Sequence, residues 1–131
     1  MFIAVAVAFL FICCNNTDME NKSLLIGAWV DTWQDEDSDP QKEQYTFTEN
    51  EFTYSFTGST KKEVNYQTTK EPVNRTDKGT YHLDNSTITF FFSEMNGALV
   101  DNITASVDYS ITQNELKLTV RGNVYTYKRV N

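Results

Sequence analysis

The chain has 131 residues, enough for one domain with its own hydrophobic core. Its formal net charge of −7 argues against nucleic acid as a partner and against a basic patch that binds anionic lipid. Aromatic residues make up 14% of the chain and Thr is frequent, which is typical of strands and argues against a disordered or mainly helical protein.

The N-terminal segment is almost continuously apolar. Residues 1–12 (MFIAVAVAFLFI) precede Cys13 and Cys14, and the chain then turns abruptly polar. Such a stretch is too short for a permanent transmembrane helix but fits the apolar core of an export signal. We therefore predict a signal peptide over residues 1–13.

The two cysteines, Cys13 and Cys14, are the only ones in the chain. Neighbouring cysteines rarely reach disulfide geometry, and a zinc site would need further Cys or His ligands. They are either small residues of a cleaved signal or part of a lipoprotein signal, in which a cysteine is acylated and becomes the mature N-terminus. The segment resembles a lipobox with Cys14 as the modified residue, because the small Cys13 precedes it, whereas the bulky Ile12 precedes Cys13. The basic residues that usually open such a signal are missing.

Residues 14–23 are polar and without period, which predicts a flexible tether. From residue 24 onward the chain consists of short segments in which aromatic and polar residues alternate, as in half-buried strands. No helix is expected after the signal segment. The predicted strands cover residues 26–33, 44–48, 51–57, 64–68, 79–83, 87–92, 104–111, 115–120 and 124–129.

Short turn sequences separate most of these segments. Glu49-Asn50, Asp84-Asn85, Gln113-Asn114 and Gly122-Asn123 each predict a tight hairpin, since Asn and Gly tolerate positive φ. A meander of eight or nine strands with one aromatic face covers that face and hides its edges by closing into an up-and-down barrel. We therefore predict an all-β, antiparallel barrel of about eight strands over residues 24–131. A two-sheet sandwich is the competing architecture.

Two polar features are candidates for chemistry. Alternate carboxylates in the acidic loop at residues 35–40 are similar to the start of a calcium loop, but Pro40 and Thr46 occupy positions where an EF-hand needs Gly and Glu, so we expect a solvated loop. His82 has no nucleophile beside it and is expected to face outward. We therefore expect no metal site, no cofactor and no enzymatic activity.

Several motifs carry a family likeness. Gly27-Ala28-Trp29 is similar to the Gly-x-Trp start of lipocalins, and the chain ends in a strand with a basic residue, Arg129. Intermediate segments that share the likeness are Gly79-Thr80-Tyr81, Ile88-Thr89-Phe90, Tyr109-Ser110-Ile111, Asn114-Glu115-Leu116 and Tyr125-Thr126-Tyr127. Together they resemble the lipocalin-like domain of small exported lipoproteins of the Bacteroides type, over residues 24–130. The resemblance implies that Arg129, or Arg121, packs over Trp29 and closes the barrel.

The inward-facing aromatic residues either fill the barrel or line a cavity for a small hydrophobic or amphipathic molecule. They are Trp29, Phe47, Phe52, Tyr54, Phe56, Tyr81, Phe90, Phe92 and Tyr109. The alternative function is a protein-interaction or inhibitor module that acts through polar loops at residues 59–78 and 94–102. In either case we expect a cell-envelope lipoprotein on a bacterial outer membrane or cell surface, anchored in the bilayer by an acyl chain such as palmitate on Cys14.

Overall fold

The structure is a computed structural model that describes residues 16–34 and 39–131. The signal segment with Cys13 and Cys14, and most of the acidic loop (residues 35–38), lie outside the described residues. The elements are α1 (Asn16–Leu25), β1 (Gly27–Trp33), β2 (Gln41–Phe47), β3 (Glu51–Val64), β4 (Gln67–Leu83), β5 (Thr87–Met95), β6 (Ala98–Ile111), β7 (Glu115–Val120) and β8 (Asn123–Arg129).

The eight strands form one closed barrel in chain order, and each strand is antiparallel to its neighbours. The predicted up-and-down barrel is confirmed, and the sandwich is wrong. Hairpin connections between consecutive strands give this order without any long crossover.

The two ends of the barrel differ. At one end, here called the base, lie the connections at residues 48–50, 84–86 and 112–114. The chain enters there through α1, whose last residue Leu25 is fully buried in the core. At the other end, here called the mouth, lie the β1–β2 connection and the tips of the β3–β4, β5–β6 and β7–β8 hairpins.

The seam between β1 and β8 is the shortest ladder of the barrel. Only Trp29 with Arg129 and Val30 with Lys128 are in register there, whereas β3 and β4 share fourteen residue pairs. The Val130 N–H adds one hydrogen bond of 2.9 Å to the Ala28 carbonyl. Closure therefore depends on few backbone contacts and on the side chains around them.

The structure corrects the predicted loops. Residues 59–78 and 94–102 are not loops but parts of the β3–β4 and β5–β6 hairpins. The strand predicted at residues 64–68 is wrong, because Asn65 and Tyr66 form the hairpin tip with φ angles of 54° and 62°. Alternation gave no signal over residues 60–72, because both faces of the hairpin are exposed there and neither face is apolar.

The outer part of the β3–β4 hairpin, residues 58–73, projects from the barrel and is here called the arm. Among the strands that the structure describes, its two strands pair only with each other, because β2 pairs with β3 as far as Thr57 and β5 pairs with β4 from Asp77 onward. Residues 60–72 are all exposed.

Helix α1 is a second correction, because it occupies most of the segment predicted as an irregular tether. Contacts with the barrel hold its C-terminal end. The Trp29 indole N–H donates to the Leu25 carbonyl at 2.8 Å, and the Arg129 guanidinium donates to the Leu24 carbonyl. A cation at a helix C-terminus is also favourable electrostatically. Among the described residues, no helix is long and apolar enough to cross a membrane.

Candidate functional site

The predicted interior residues occupy two levels of the barrel. Trp29, Phe47, Phe52, Tyr81 and Phe90 are buried in the core. Tyr54, Phe92 and Tyr109 are partly buried and pack against that core. Phe56 lies nearest the mouth, where its ring centre is 6.2 Å from that of Trp33.

The base half of the interior is filled by aromatic rings. Phe52 meets Phe90 edge to face with ring centres 4.8 Å apart, and Phe47 meets Tyr81 at 5.2 Å. The Tyr81 hydroxyl donates to the Thr48 carbonyl at 2.7 Å, so its buried polar atom has a partner. These ring contacts pack the described side chains of the base half against one another.

Arg129 closes the base over Trp29. Its Cζ atom lies 4.2 Å from the centre of the indole ring, which is the cation–π contact that the family likeness implies. The guanidinium also donates to the Gln113 carbonyl at 2.6 Å and to the Ile26 carbonyl at 3.1 Å. Arg121 takes no part, because it lies in the β7–β8 turn at the mouth with a φ of 51°. The pair is a structural clasp rather than part of a binding site.

The mouth half is open, and it contains two cavities on either side of Tyr45. The first has a volume of about 240 Å³, and the second about 210 Å³. Residues that line the first besides Tyr45 are Phe52, Tyr54, Arg75, Asp77, Phe90 and Phe92. Residues that line the second are Glu43, Val107, Leu118, Val120, Tyr125 and Tyr127.

Tyr45 lies between the two cavities but was not among the predicted site residues. Its ring centre lies 4.9 Å from that of Tyr54 and 5.3 Å from that of Tyr127. The signal was present in the sequence, because Tyr45 alternates with Phe47 on the inward face of β2. The same alternation places Glu43 inside, where no apolar pattern would have suggested a carboxylate.

Glu43 is held by two tyrosines. The Tyr54 hydroxyl donates to one carboxylate oxygen at 2.8 Å, and the Tyr127 hydroxyl donates to the other at 2.9 Å. Within residues 16–34 and 39–131, no lysine or arginine forms an ion pair with Glu43. Its charge therefore has hydrogen-bond partners but no counter-ion.

A second carboxylate at the mouth is neutralised. Asp77, only 4% exposed, accepts hydrogen bonds from the Arg75 Nε at 3.1 and 3.0 Å and from the Asn96 N–H at 3.0 Å. A further Arg75 nitrogen lies 2.9 Å from the same carboxylate. Because the charges of Arg75 and Asp77 cancel, the residues that line the two cavities carry one net negative charge, that of Glu43.

The tyrosines at the mouth stay protonated well above neutral pH. Burial, followed by the nearby Glu43, raises the pKa of Tyr45 and of Tyr54 far above the ordinary value of 10.0. Burial, followed by the electrostatic effects of Tyr45 and Glu43, also raises the pKa of Tyr127. Each hydroxyl is therefore a neutral donor in the physiological range.

Other surfaces of the barrel are weaker candidates for a functional site. A groove of about 290 Å³ lies on the outer face of β3, β4 and β5, where Lys78 and Glu94 pair at 3.8 Å. His82 is exposed, as predicted, beside a groove under α1. No group of three potential metal ligands occurs in the part of the chain that the structure describes.

No protein-family model, curated protein or solved structure matches the chain.

The two hydrogen bonds to Glu43 predict how the tyrosines titrate. We expect Glu43→Gln to lower the pKa of Tyr54 and Tyr127, because it removes the adjacent negative charge. The pKa of Tyr81 should not change, since burial and then Glu49 raise it. Residue-resolved ¹³C NMR of the tyrosine Cζ atoms measures this, with Glu49→Gln as the matched control that lowers only the pKa of Tyr81. An unchanged Tyr54 in Glu43→Gln would contradict the structure.

The same pKa shifts predict a loss of stability at high pH. The folded-state pKa lies above the unfolded value of 10.0, so the neutral tyrosines contribute stability below pH 10.0. That contribution disappears as the pH rises beyond this value, because the unfolded chain releases protons that the barrel retains. Urea unfolding at several alkaline pH values should show the free energy of unfolding falling.

Proposed function

We propose that this protein is a membrane-anchored lipoprotein without enzymatic activity, whose lipocalin-like barrel binds a small hydrophobic or amphipathic molecule at its mouth. The pair of cavities beside Tyr45 carries the proposal. They combine phenyl rings and aliphatic side chains with a few convergent polar groups, which is the usual composition of ligand sites.

The size of the cavities limits the ligand. Each is smaller than the ~300 Å³ typical of pockets for drug-sized molecules. The filled base sets the depth, because Phe52 and Phe90 form the floor of the first cavity. A molecule with one ring, or a short chain with a polar end, fits this space.

The anchor gives the barrel an orientation. Helix α1 lies across the base, where Asn21 donates to the Tyr109 hydroxyl at 3.0 Å and Leu25 is buried in the core. Cys14 precedes the start of α1 by two residues, and two residues of chain span at most about 7 Å. A lipid on Cys14 would therefore place the base towards the membrane and the mouth away from it.

Ligand binding is tested by native mass spectrometry of the protein purified from its own membrane. We expect an added mass on the wild type and a smaller bound fraction on Val107→Phe, because the larger ring occupies part of the second cavity. Val124→Phe is the matched control, since Val124 lies exposed on β8, and it should keep the added mass. A wild type that always carries no ligand would defeat the binding function.

The anchor is tested separately by mass analysis of the mature N-terminus. We expect an acylated Cys14 in the membrane fraction, and a Cys14→Ser variant that is no longer acylated and leaves the membrane. Cys13→Ser, the neighbouring control, should remain acylated. An unmodified N-terminus further along the chain would make this a plain secreted barrel.

The arm favours a second candidate function, a surface module that binds another protein. Apart from the hydrogen bonds of the Gln41 side chain with Ser59, neither edge of the arm pairs with another strand among the described residues. A two-stranded ribbon alone is marginally stable in water, so a partner strand would stabilise it. Tyr66 is fully exposed at its tip. Crosslinking in intact cells should then capture a protein that is lost in Tyr66→Ala but retained in Val107→Phe. Capture that does not depend on the arm would count against this function.

A further inference from the structure

We propose that the ligand of the mouth is an organic cation, an amine or methylated amine attached to a small apolar or aromatic group, whose ammonium group binds beside Glu43. The inference rests on the proposed function, to which it adds the chemical class of the ligand.

The first argument is the charge of the site. The Arg75–Asp77 pair is internally neutral, and Glu43 has no counter-ion among the described residues. A neutral ligand in the second cavity would displace water from this carboxylate without replacing the lost solvation, which is costly. An anion would add repulsion. A cation supplies the missing charge partner.

The second argument is the free hydrogen-bonding capacity of Glu43. A carboxylate offers about four acceptor sites, and the Tyr54 and Tyr127 hydroxyls use two of them. The two hydroxyls fix the orientation of the carboxylate in advance. Among the described residues no other donor is bonded to Glu43, so its remaining acceptor sites can accept from the N–H groups of an ammonium ion.

The third argument is the aromatic surround. Tyr45, Tyr125 and Tyr127 line the second cavity together with Glu43, and the ring centres of Tyr45 and Tyr127 lie 5.3 Å apart. Aromatic rings beside a negative charge are the chemistry that recognises ammonium and methylammonium groups through cation–π attraction. Val107, Leu118 and Val120 line the rest of the second cavity and would cover the apolar part of the same molecule.

The test uses three probes of similar size that differ in charge: phenethylamine, 2-phenylethanol and phenylacetate. Their dissociation constants for the full chain are measured by calorimetry at neutral pH. We expect the amine to bind at least about tenfold more tightly than the alcohol, and the carboxylate to bind most weakly. In Glu43→Gln the preference for the amine over the alcohol should fall to less than about threefold, because only the tyrosine rings then favour the ammonium group. Glu63→Gln, which removes the same charge from the exposed arm, should keep the preference for the amine.

The outcomes separate this inference from the proposed function. An alcohol that binds as tightly as the amine to the wild type overturns the cation and leaves the binding function standing. A preference for the amine that is as large in Glu43→Gln as in the wild type overturns the assignment to Glu43. The ranking of the three probes on the wild type still tests whether the ligand is a cation if Glu43→Gln does not fold. If no probe binds and the native protein carries no ligand, both proposals fall.

Discussion

The rest of the structure depends on the clasp of Trp29 and Arg129 at the base. Two residue pairs join β1 to β8, so backbone pairing alone closes the barrel weakly. Arg129 stacks on the indole and donates to carbonyls from the α1–β1 segment and the β6–β7 connection, which ties three separate parts of the chain together. Trp29 in turn donates to the end of α1. The closed seam between β1 and β8 is what encloses the barrel interior.

The polarity of the barrel interior changes along one strand, β2. Along β2 the inward side chains change from Phe47 through Tyr45 to Glu43, that is, from apolar through amphipathic to charged. The apolar end meets the aromatic rings of the base and fills it. At the charged end two tyrosine hydroxyls donate hydrogen bonds to Glu43, and the two cavities lie on either side of Tyr45. The gradient in polarity along one strand thus follows the change from the packed base to the open mouth.

The sequence predicted those parts of the fold whose signals are local. Alternating aromatics and Asn-containing turns such as Glu49-Asn50 specified the strands and hairpins, and hence the barrel. It missed the arm, because Lys61, Lys62 and Lys70 show no apolar face to reveal a strand. It missed α1, because that helix is held by contacts with Trp29 and Arg129, distant in sequence, rather than by an apolar period. Glu43 was missed for the same reason, since its hydrogen-bond partners lie 11 and 84 residues away.

Amide hydrogen exchange across the β1–β8 seam, followed by NMR, tests the clasp most directly. Arg129→Met should accelerate exchange of the Val130 N–H, which donates to the Ala28 carbonyl, and of the other amides along β1 and β8. Lys128→Met, on the neighbouring exposed position, should leave the exchange of these amides unchanged although it removes the ion pair with Glu115. Equal exchange at the seam in the two variants would contradict the view that Arg129 holds the barrel closed.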